Sequence, residues 1–431
     1  MKTVIRGLAA LALAVILSGI GLLLVARAAL APQPDEWQVR LGSGRWAQPA
    51  SVPTLLRWAT HPLAQPRLDG RRLRGWTLHA RPDGGLEAHC APCRFRLAAL
   101  GQAAVELPQA TLVLHARGAD RYDGLLRLGA PARSIDIPWR GEMGAAGLRL
   151  HAELAPTPLV DLVALFGDAV PEASTARIEG RVGLALDARL GAQGLQLTAL
   201  KPAFEGLRVD GLGTERLRDA DAGARCRPQP AGGRIEGWIQ NAVIAAEDAR
   251  FFEHPGYELE QWVAAGKANQ SRPEALQGAS TITQQLAKLL YTGDERSAAR
   301  KLREFLYALE MERTLGKGRI LQLYLAVLPW GDGICGAEAA ARHHLGKPAN
   351  QLKPREAAWL ASLLVNPDEQ LRRWSSDEAA GRARAAAVLK GIRRLPRERR
   401  EAELDALAQW QPPVGRSLLA TTPAKLTSAA P

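Results

Sequence analysis

Hydrophobic and polar positions fall into three successive textures along the chain. Gly7 to Ala26 is twenty residues without a charge, preceded by Lys2 and Arg6. Twenty helical residues span about 30 Å, the hydrocarbon thickness of a bilayer. The run reads as a transmembrane anchor with its basic end in the cytoplasm, and residues 1–31 form that segment. The other reading is a cleaved signal peptide ending at Ala29-Leu30-Ala31. Both place the rest of the chain outside the cytoplasm. Residues 32–70 are punctuated by Pro and Trp without a period and read as a juxtamembrane segment. Over 71–214, segments such as Leu73–Ala80, Thr111–Ala116, Leu148–Leu154 and Ile178–Leu186 alternate apolar with polar or small residues. A period of two indicates half-buried strands, and the Gly, Pro and Asp clusters between them supply turns. The expectation is an antiparallel β-rich domain of about eight strands, with one short helix at Pro158–Phe166.

Residues 215–233 dissolve into Arg, Pro and Gly and read as a linker. Beyond it the period becomes helical, with helices expected over Ile235–Ala249, Ser280–Leu290, Ala298–Arg313, Ile320–Leu328, Ala337–Leu345, Pro354–Leu364 and Asp377–Ile392. This second, mainly α domain covers 234–400, and a partly disordered tail covers 401–431. The chain is therefore multidomain: an N-terminal transmembrane helix, an antiparallel β-rich domain and a mainly α domain.

Composition narrows the partners. Net charge is +12 over 431 residues, with 47% apolar and 23% charged positions. That balance is globular and favours anionic partners such as acidic headgroups or phosphate-bearing substrates. The basic run from Arg382 to Arg400 reads either as a face against anionic lipid or as a solvated helix surface. The four cysteines are few. Cys90-Ala91-Pro92-Cys93 lacks a second ligand pair for zinc, so it reads as a local disulfide or a pair of thiols. Cys226 and Cys335 could bridge within the second domain. Histidines 79, 89, 115 and 151 recur at strand positions without ligand spacing and read as ordinary sheet residues.

Candidate chemistry sits between Asn241 and Lys347. Glu247 ends the apolar run Ala242–Ala246, where partial desolvation would raise a carboxylate's pKa and suit it to proton transfer. Asp248, Phe251, His254 and Gly256 follow. On a helix, Thr281, Gln285 and Lys288 share one face, and Gln284 neighbours Lys288. Arg300 and Glu304 stand four apart, with Lys301 beside them. Two cations next to a carboxylate suit a diphosphate, with Glu304 as the candidate ligand for a bridging Mg²⁺ or Mn²⁺.

Taken together, these segments resemble the family 51 glycosyltransferases, the peptidoglycan polymerases, over about residues 235–367. The family's EDxxFxxHxG matches Glu247, Asp248, Phe251, His254 and Gly256. Its GxSTxTQQLxKN matches Gly278 to Lys288, with Leu289 where Asn is common. Its RKxxE matches Arg300, Lys301 and Glu304. A fourth motif corresponds to Lys317–Ala326 and a fifth to Gly333–Ala341, followed by Leu345-Gly346-Lys347. Gln322, Ala326, Cys335 and His343-His344 depart from the family's usual Glu, Asn, aromatic and aromatic pair.

The resemblance implies a lysozyme-like α fold that polymerises lipid II into β-1,4-linked glycan and releases undecaprenyl diphosphate. Glu247 would be the general base. Glu304 would act beside it, orienting the cations or holding the metal. Ser280, Thr281, Gln284, Gln285, Lys288, Arg300 and Lys301 would bind substrate, and Asp248, Phe251, His254 and Gly256 would support the motif. It further implies a single-pass protein of the bacterial inner membrane with a periplasmic catalytic domain. Partners would be lipid II, undecaprenyl-diphosphate-linked glycan, the membrane and other cell-wall synthesis proteins, without nucleic acid or an organic cofactor. A lytic glycan-cleaving enzyme of lysozyme type and a non-catalytic envelope scaffold are the alternatives. No SxxK, SxN and KTG set of a transpeptidase is present.

Overall fold

The computed structural model describes residues 28, 31–41, 44, 47–73, 75–96, 104–130, 133–219, 234–271, 280–295, 297–331, 333–364 and 366–413. The uncharged run at 7–26, most of the expected linker, Cys226, Gly278 and the tail from 414 lie outside these residues. Among the described residues no helix is long and apolar enough to cross a membrane.

The period-two region forms one antiparallel sheet of nine strands. In chain order the strands of the region are β1 (Gln38–Leu41), β2 (Gln48–Ser51), β3 (Arg72–Leu73), β4 (Trp76–Ala80), β5 (Leu86–Cys90), β6 (Cys93–Arg96) and β7 (Ala104–Leu107). They continue with β8 (Ala110–Ala116), β9 (Arg121–Leu128), β10 (Ile135–Gly144), β11 (Gly147–Pro158), β12 (Arg177–Gly191) and β13 (Gly194–Asp210). The pairs β1–β2 and β6–β7 stand as separate ribbons, and the large sheet runs β13-β12-β11-β10-β9-β8-β5-β4-β3. Neighbours in space are thus neighbours in sequence, apart from the β6–β7 excursion. Such a meander needs only short turns.

The alternation sets the two faces of this sheet. Tyr122, Met143 and Leu148 are buried against Trp37, Leu56, Leu114, Trp139, Leu150 and Leu190. The intervening positions are charged. Cys90 and Cys93 form a disulfide, and the sheet histidines pair with side chains nearby, such as His151 with Asp187 at 2.7 Å. The expected short helix is Leu159–Ala164.

The second unit is helical. It contains helices Trp238–Glu247, Ile282–Ala287, Ala298–Thr314, Gly316–Val327, Ala337–Leu345, Pro354–Ser362, Pro367–Ser376, Glu378–Gly391 and Arg397–Gln409. It also takes in Ala169–Glu179 and the described residues of 207–262, whereas 263–271 groups with the sheet unit. Its core is continuous, with Ile239, Val243, Phe251, Ile282, Leu286, Met311, Ile320, Tyr324, Trp330 and Trp359 all inaccessible. Each such side chain contributes roughly 1.5–3 kcal/mol by leaving water.

The stretch expected as one helix over Ser280–Leu290 is shorter. It is α-helical over Ile282–Ala287 and then opens into a π turn, Lys288–Thr292, that ends at Gly293 with φ 74°. π turns widen the backbone and often stand at functional sites. The basic run does not form one solvent-facing stripe either. Arg384 donates to the Ser362 carbonyl, Arg382 to the Trp410 carbonyl, and Arg400 to the Leu395 carbonyl.

Candidate active site

Glu247 is delivered by the last turn of the helix Trp238–Glu247, whose buried face (Ile239, Ala242, Val243) fixes it on the core. Its Oε2 accepts a hydrogen bond from Gln285 Nε2 at 2.9 Å. Its Oε1 is covered and has no hydrogen-bond partner among the described residues. A half-satisfied carboxylate is costly in the interior. Burial pushes its pKa above the usual carboxylate range, against the lowering effect of the Gln285 hydrogen bond and the Arg384 charge. The arrangement suits a group that takes up a proton.

Gln285 is itself held. Tyr324, fully buried on the helix Gly316–Val327, donates its hydroxyl to Gln285 Oε1 at 2.6 Å. An amide whose oxygen is engaged by a hydroxyl must turn its NH₂ the other way, which here is toward Glu247. Burial, then the nearby carboxylates of Glu247 and Asp248, raise the Tyr324 pKa well above its ordinary value. The phenol therefore stays a donor. Sequence reasoning missed Tyr324 because Leu323-Tyr324-Leu325 reads as core, and missed Arg384 because it looked like one charge in a run.

The cations lie at the start of the helix Ala298–Thr314. Ser297 caps that helix by accepting from the Arg300 backbone N–H at 3.2 Å. Arg300 bonds to Glu304 Oε1, and Lys301 Nζ donates to Glu304 Oε2 at 2.7 Å. Glu304 is 1% exposed and both its oxygens are spoken for. Lys301 also donates to the Ser280 hydroxyl at 2.7 Å. Desolvation, then the charges of Arg300 and Lys288, lower the Lys301 pKa to about 8. Glu304 and Asp294 leave Lys288, Arg300 and Lys301 with a net positive charge, and an anion arriving there would relieve the repulsion. Lys288 opens the π turn and pairs with Asp294 at 2.7 Å.

The expected supporting residues form a latch. Asp248 accepts from His254 Nε2 at 2.9 Å and from the Ile282 backbone N–H at 2.9 Å. His254 Nδ1 accepts from the Gly256 N–H at 3.1 Å. With one ring nitrogen donating and the other accepting, His254 is a neutral imidazole without a lone pair for a metal. The grouping of Asp248, His254 and Glu258 is therefore not a cation site. Gly256 sits at φ 89°, and a Cβ there would meet Glu312 Cγ at 2.7 Å. Phe251 is buried beneath the Lys317 ammonium, 4.4 Å from the ring centre.

Two expected ligand contacts serve this latch instead. Thr281 caps the helix Ile282–Ala287, and with Gln284 it forms a capping box. Thr281 also donates to the Gly256 carbonyl at 2.7 Å. Both residues are buried, at 2% and 3% exposure. The departure at Gln322 has a local cause. Its amide accepts from the Ile235 N–H and donates to the Ile235 carbonyl, both at 2.9 Å. A carboxylate could accept there but not donate. Cys335 bridges Pro329 in a short β contact and is disulfide-bonded.

Residues 225–393 match the transglycosylase family. The chain is 47% identical over 134 residues to the biosynthetic peptidoglycan transglycosylase of Nitrosomonas eutropha, covering 31% of this chain and 55% of that protein. It is 41% identical over 172 residues to the protein of the same name from Thiobacillus denitrificans, covering 40% of this chain and 72% of that protein. A third, from Aeromonas hydrophila, is 50% identical over 129 residues, or 30% of this chain and 54% of that protein. The chain thus spans little more than half the length of several of the relatives it matches.

Proposed function

The chain belongs to the transglycosylase family, and from that premise we propose that it polymerises lipid-linked disaccharide into peptidoglycan glycan strands. The observation that carries this reading is Glu247: one oxygen is fixed by Gln285, the other is buried without a hydrogen-bond partner among the described residues, and Gln285 and Lys301 of the cation cluster both bond to Ser280. Glu247 Oε1 takes the proton from the 4-hydroxyl of the acceptor sugar on lipid II. That oxygen attacks the anomeric carbon of the donor, a glycan chain on undecaprenyl diphosphate. The bond to the diphosphate breaks with inversion, and the electron pair leaves on the diphosphate oxygen. Lys288, Arg300 and Lys301 stabilise the charge that develops there. Donors fixed in place before the reaction supply the largest part of such stabilisation. Ser280 places the Lys301 ammonium, and Glu304 holds Arg300 and Lys301 together.

A resident divalent cation does not fit the residues at Glu304. Each of its oxygens already accepts from a cation, and the neighbouring side chains are positive rather than oxygen ligands. Mg²⁺ requires several oxygens around it, so no step is assigned to a metal. A lipid-linked substrate places the enzyme at the bacterial inner membrane with its catalytic unit on the periplasmic side. The uncharged run 7–26 is the proposed anchor, and other cell-wall synthesis proteins are its proposed partners. Incubating the full chain with labelled lipid II tests the reading. Polymer longer than the substrate supports it. Shortened glycan from preformed sacculi, without polymer from lipid II, would replace it with a lytic enzyme.

A further inference from the structure

The charged face of the β sheet gathers a second group of cations, remote in sequence from the proposed chemistry. Alternation along β9 to β12 turns Tyr122, Gly141, Leu150 and Ala188 to one side and charged residues to the other. The register aligns those charges in two rows across the strands. In one row Asp123 lies opposite Arg140, Arg140 opposite His151, and His151 opposite Asp187. In the other, Arg121 lies opposite Glu142, Glu142 opposite Arg149, and Arg149 opposite Arg189. Arg117, just beyond β8, joins Arg121 through its backbone N–H at 2.7 Å.

Two features of this row are unfavourable to the folded sheet alone. Arg149 and Arg189 stand directly across from one another, as do Arg117 and Arg121, and like charges in that relation repel. The acids present also do not match the cations. Arg117 pairs with Asp123 at 2.7 Å, Arg149 with Glu142 at 2.7 Å, and His151 with Asp187 at 2.7 Å. The side chains of Arg121, Arg140 and Arg189 have no ion-pair or hydrogen-bond partner among the described residues. All these groups line one concavity of about 1090 Å³. Strands about 4.8 Å apart spread the guanidiniums over roughly 19 Å from β8 to β12. That is the reach of a ligand with more than one negative group.

We propose that this face binds a phosphate-bearing ligand, with Arg121, Arg140 and Arg189 as its principal contacts. A guanidinium offers a planar fork that matches phosphate oxygens in a bidentate manner. The shared chemistry is the phosphate, whether on a lipid headgroup or free in solution, and the bound ligand relieves the repulsion in the Arg row. The assignment does not rest on the proposed reaction.

The test uses the full chain carrying Lys288→Gln and Lys301→Gln, so that the other cation cluster is weakened and its remaining binding is common to every variant compared. Calorimetric titrations of the detergent-solubilised chain with inorganic pyrophosphate and with a short-chain, water-soluble phosphatidylglycerol are the two arms. Binding of pyrophosphate supports a soluble phosphate ligand, and binding of the phosphatidylglycerol alone supports a headgroup. In either arm, adding Arg121→Gln, Arg140→Gln and Arg189→Gln weakens binding at least about tenfold. The same triple change leaves thermal stability equal or higher, because it removes like-charge contacts. Failure of both probes to bind, or equal binding by the triple variant, overturns the proposal.

Discussion

Replacing Tyr324 by Phe removes one oxygen from the interior and leaves the ring's shape, so its effect isolates a single hydrogen bond. The hydroxyl is the group that holds Gln285 Oε1. Without it, the amide either keeps its orientation with an unpaired buried oxygen, at about 1–3 kcal/mol, or rotates and presents that oxygen to Glu247. Rotation removes the donor from Glu247 Oε2. A hydrogen bond to a charged group contributes about 1.5–3 kcal/mol, and about 1.4 kcal/mol corresponds to one pKa unit. The Glu247 pKa, already raised by burial, then rises further. The sign follows from the chemistry: Gln285 favours the ionised carboxylate, so losing it favours the proton. A base must be ionised to act, and the acid limb of the rate profile moves to higher pH. The assay is the initial rate of lipid II polymerisation between pH 5 and 9 at saturating substrate. Tyr324→Phe keeps its rate on the alkaline side and loses it earlier on the acid side, with KM unchanged. Gln285→Leu shows the same shift, and the double variant shows no more than either. A uniform loss of rate at every pH would mean that Tyr324 only supports the core, and would refute the reasoning.

Other consequences follow from the same geometry. Glu247→Gln lowers the polymerisation rate by at least about 10²-fold and raises the melting temperature near neutral pH. Because the folded-state pKa of Glu247 lies above its unfolded value, the ionised form costs stability. That cost, and hence the gain in the variant, fades as pH falls through the folded pKa, which melting curves across the acid range measure. Lys301 titrates at about 8 in the free protein, so KM for the lipid donor rises as pH increases beyond that value. Lys301→Arg, charged throughout, removes the rise. Asp248→Ala leaves the His254 Nε2–H and the Ile282 N–H as unpaired buried donors, each costing about 1–3 kcal/mol, seen as a lower urea midpoint.

Much of this arrangement could be read along the chain, for physical reasons that also explain what could not. A period of two survives in the sheet because one face meets the core and the other meets water. The helix Ala298–Thr314 is long and amphipathic, and both it and Ala337–Leu345 declare their own ends. Glu247, Arg300, Lys301 and Glu304 stand out as charges within apolar segments. The pairing of Tyr324 with Gln285 joins positions 39 residues apart and leaves no local trace. The π turn at Lys288 is likewise silent, since its residues carry an ordinary helical pattern. Thr281 and Gln284 were legible in another sense: Thr-x-x-Gln ahead of an apolar run is the signature of a capping box. Their place in the helix terminus follows from it.

If Glu247 is the base of a glycosyl transfer, the most direct measurement compares polymerisation of labelled lipid II by wild type and Glu247→Gln, both confirmed folded by their melting curves. The wild type gives glycan polymer, and the variant, at least as stable, gives essentially none. Polymer from Glu247→Gln at the wild-type rate would contradict that role.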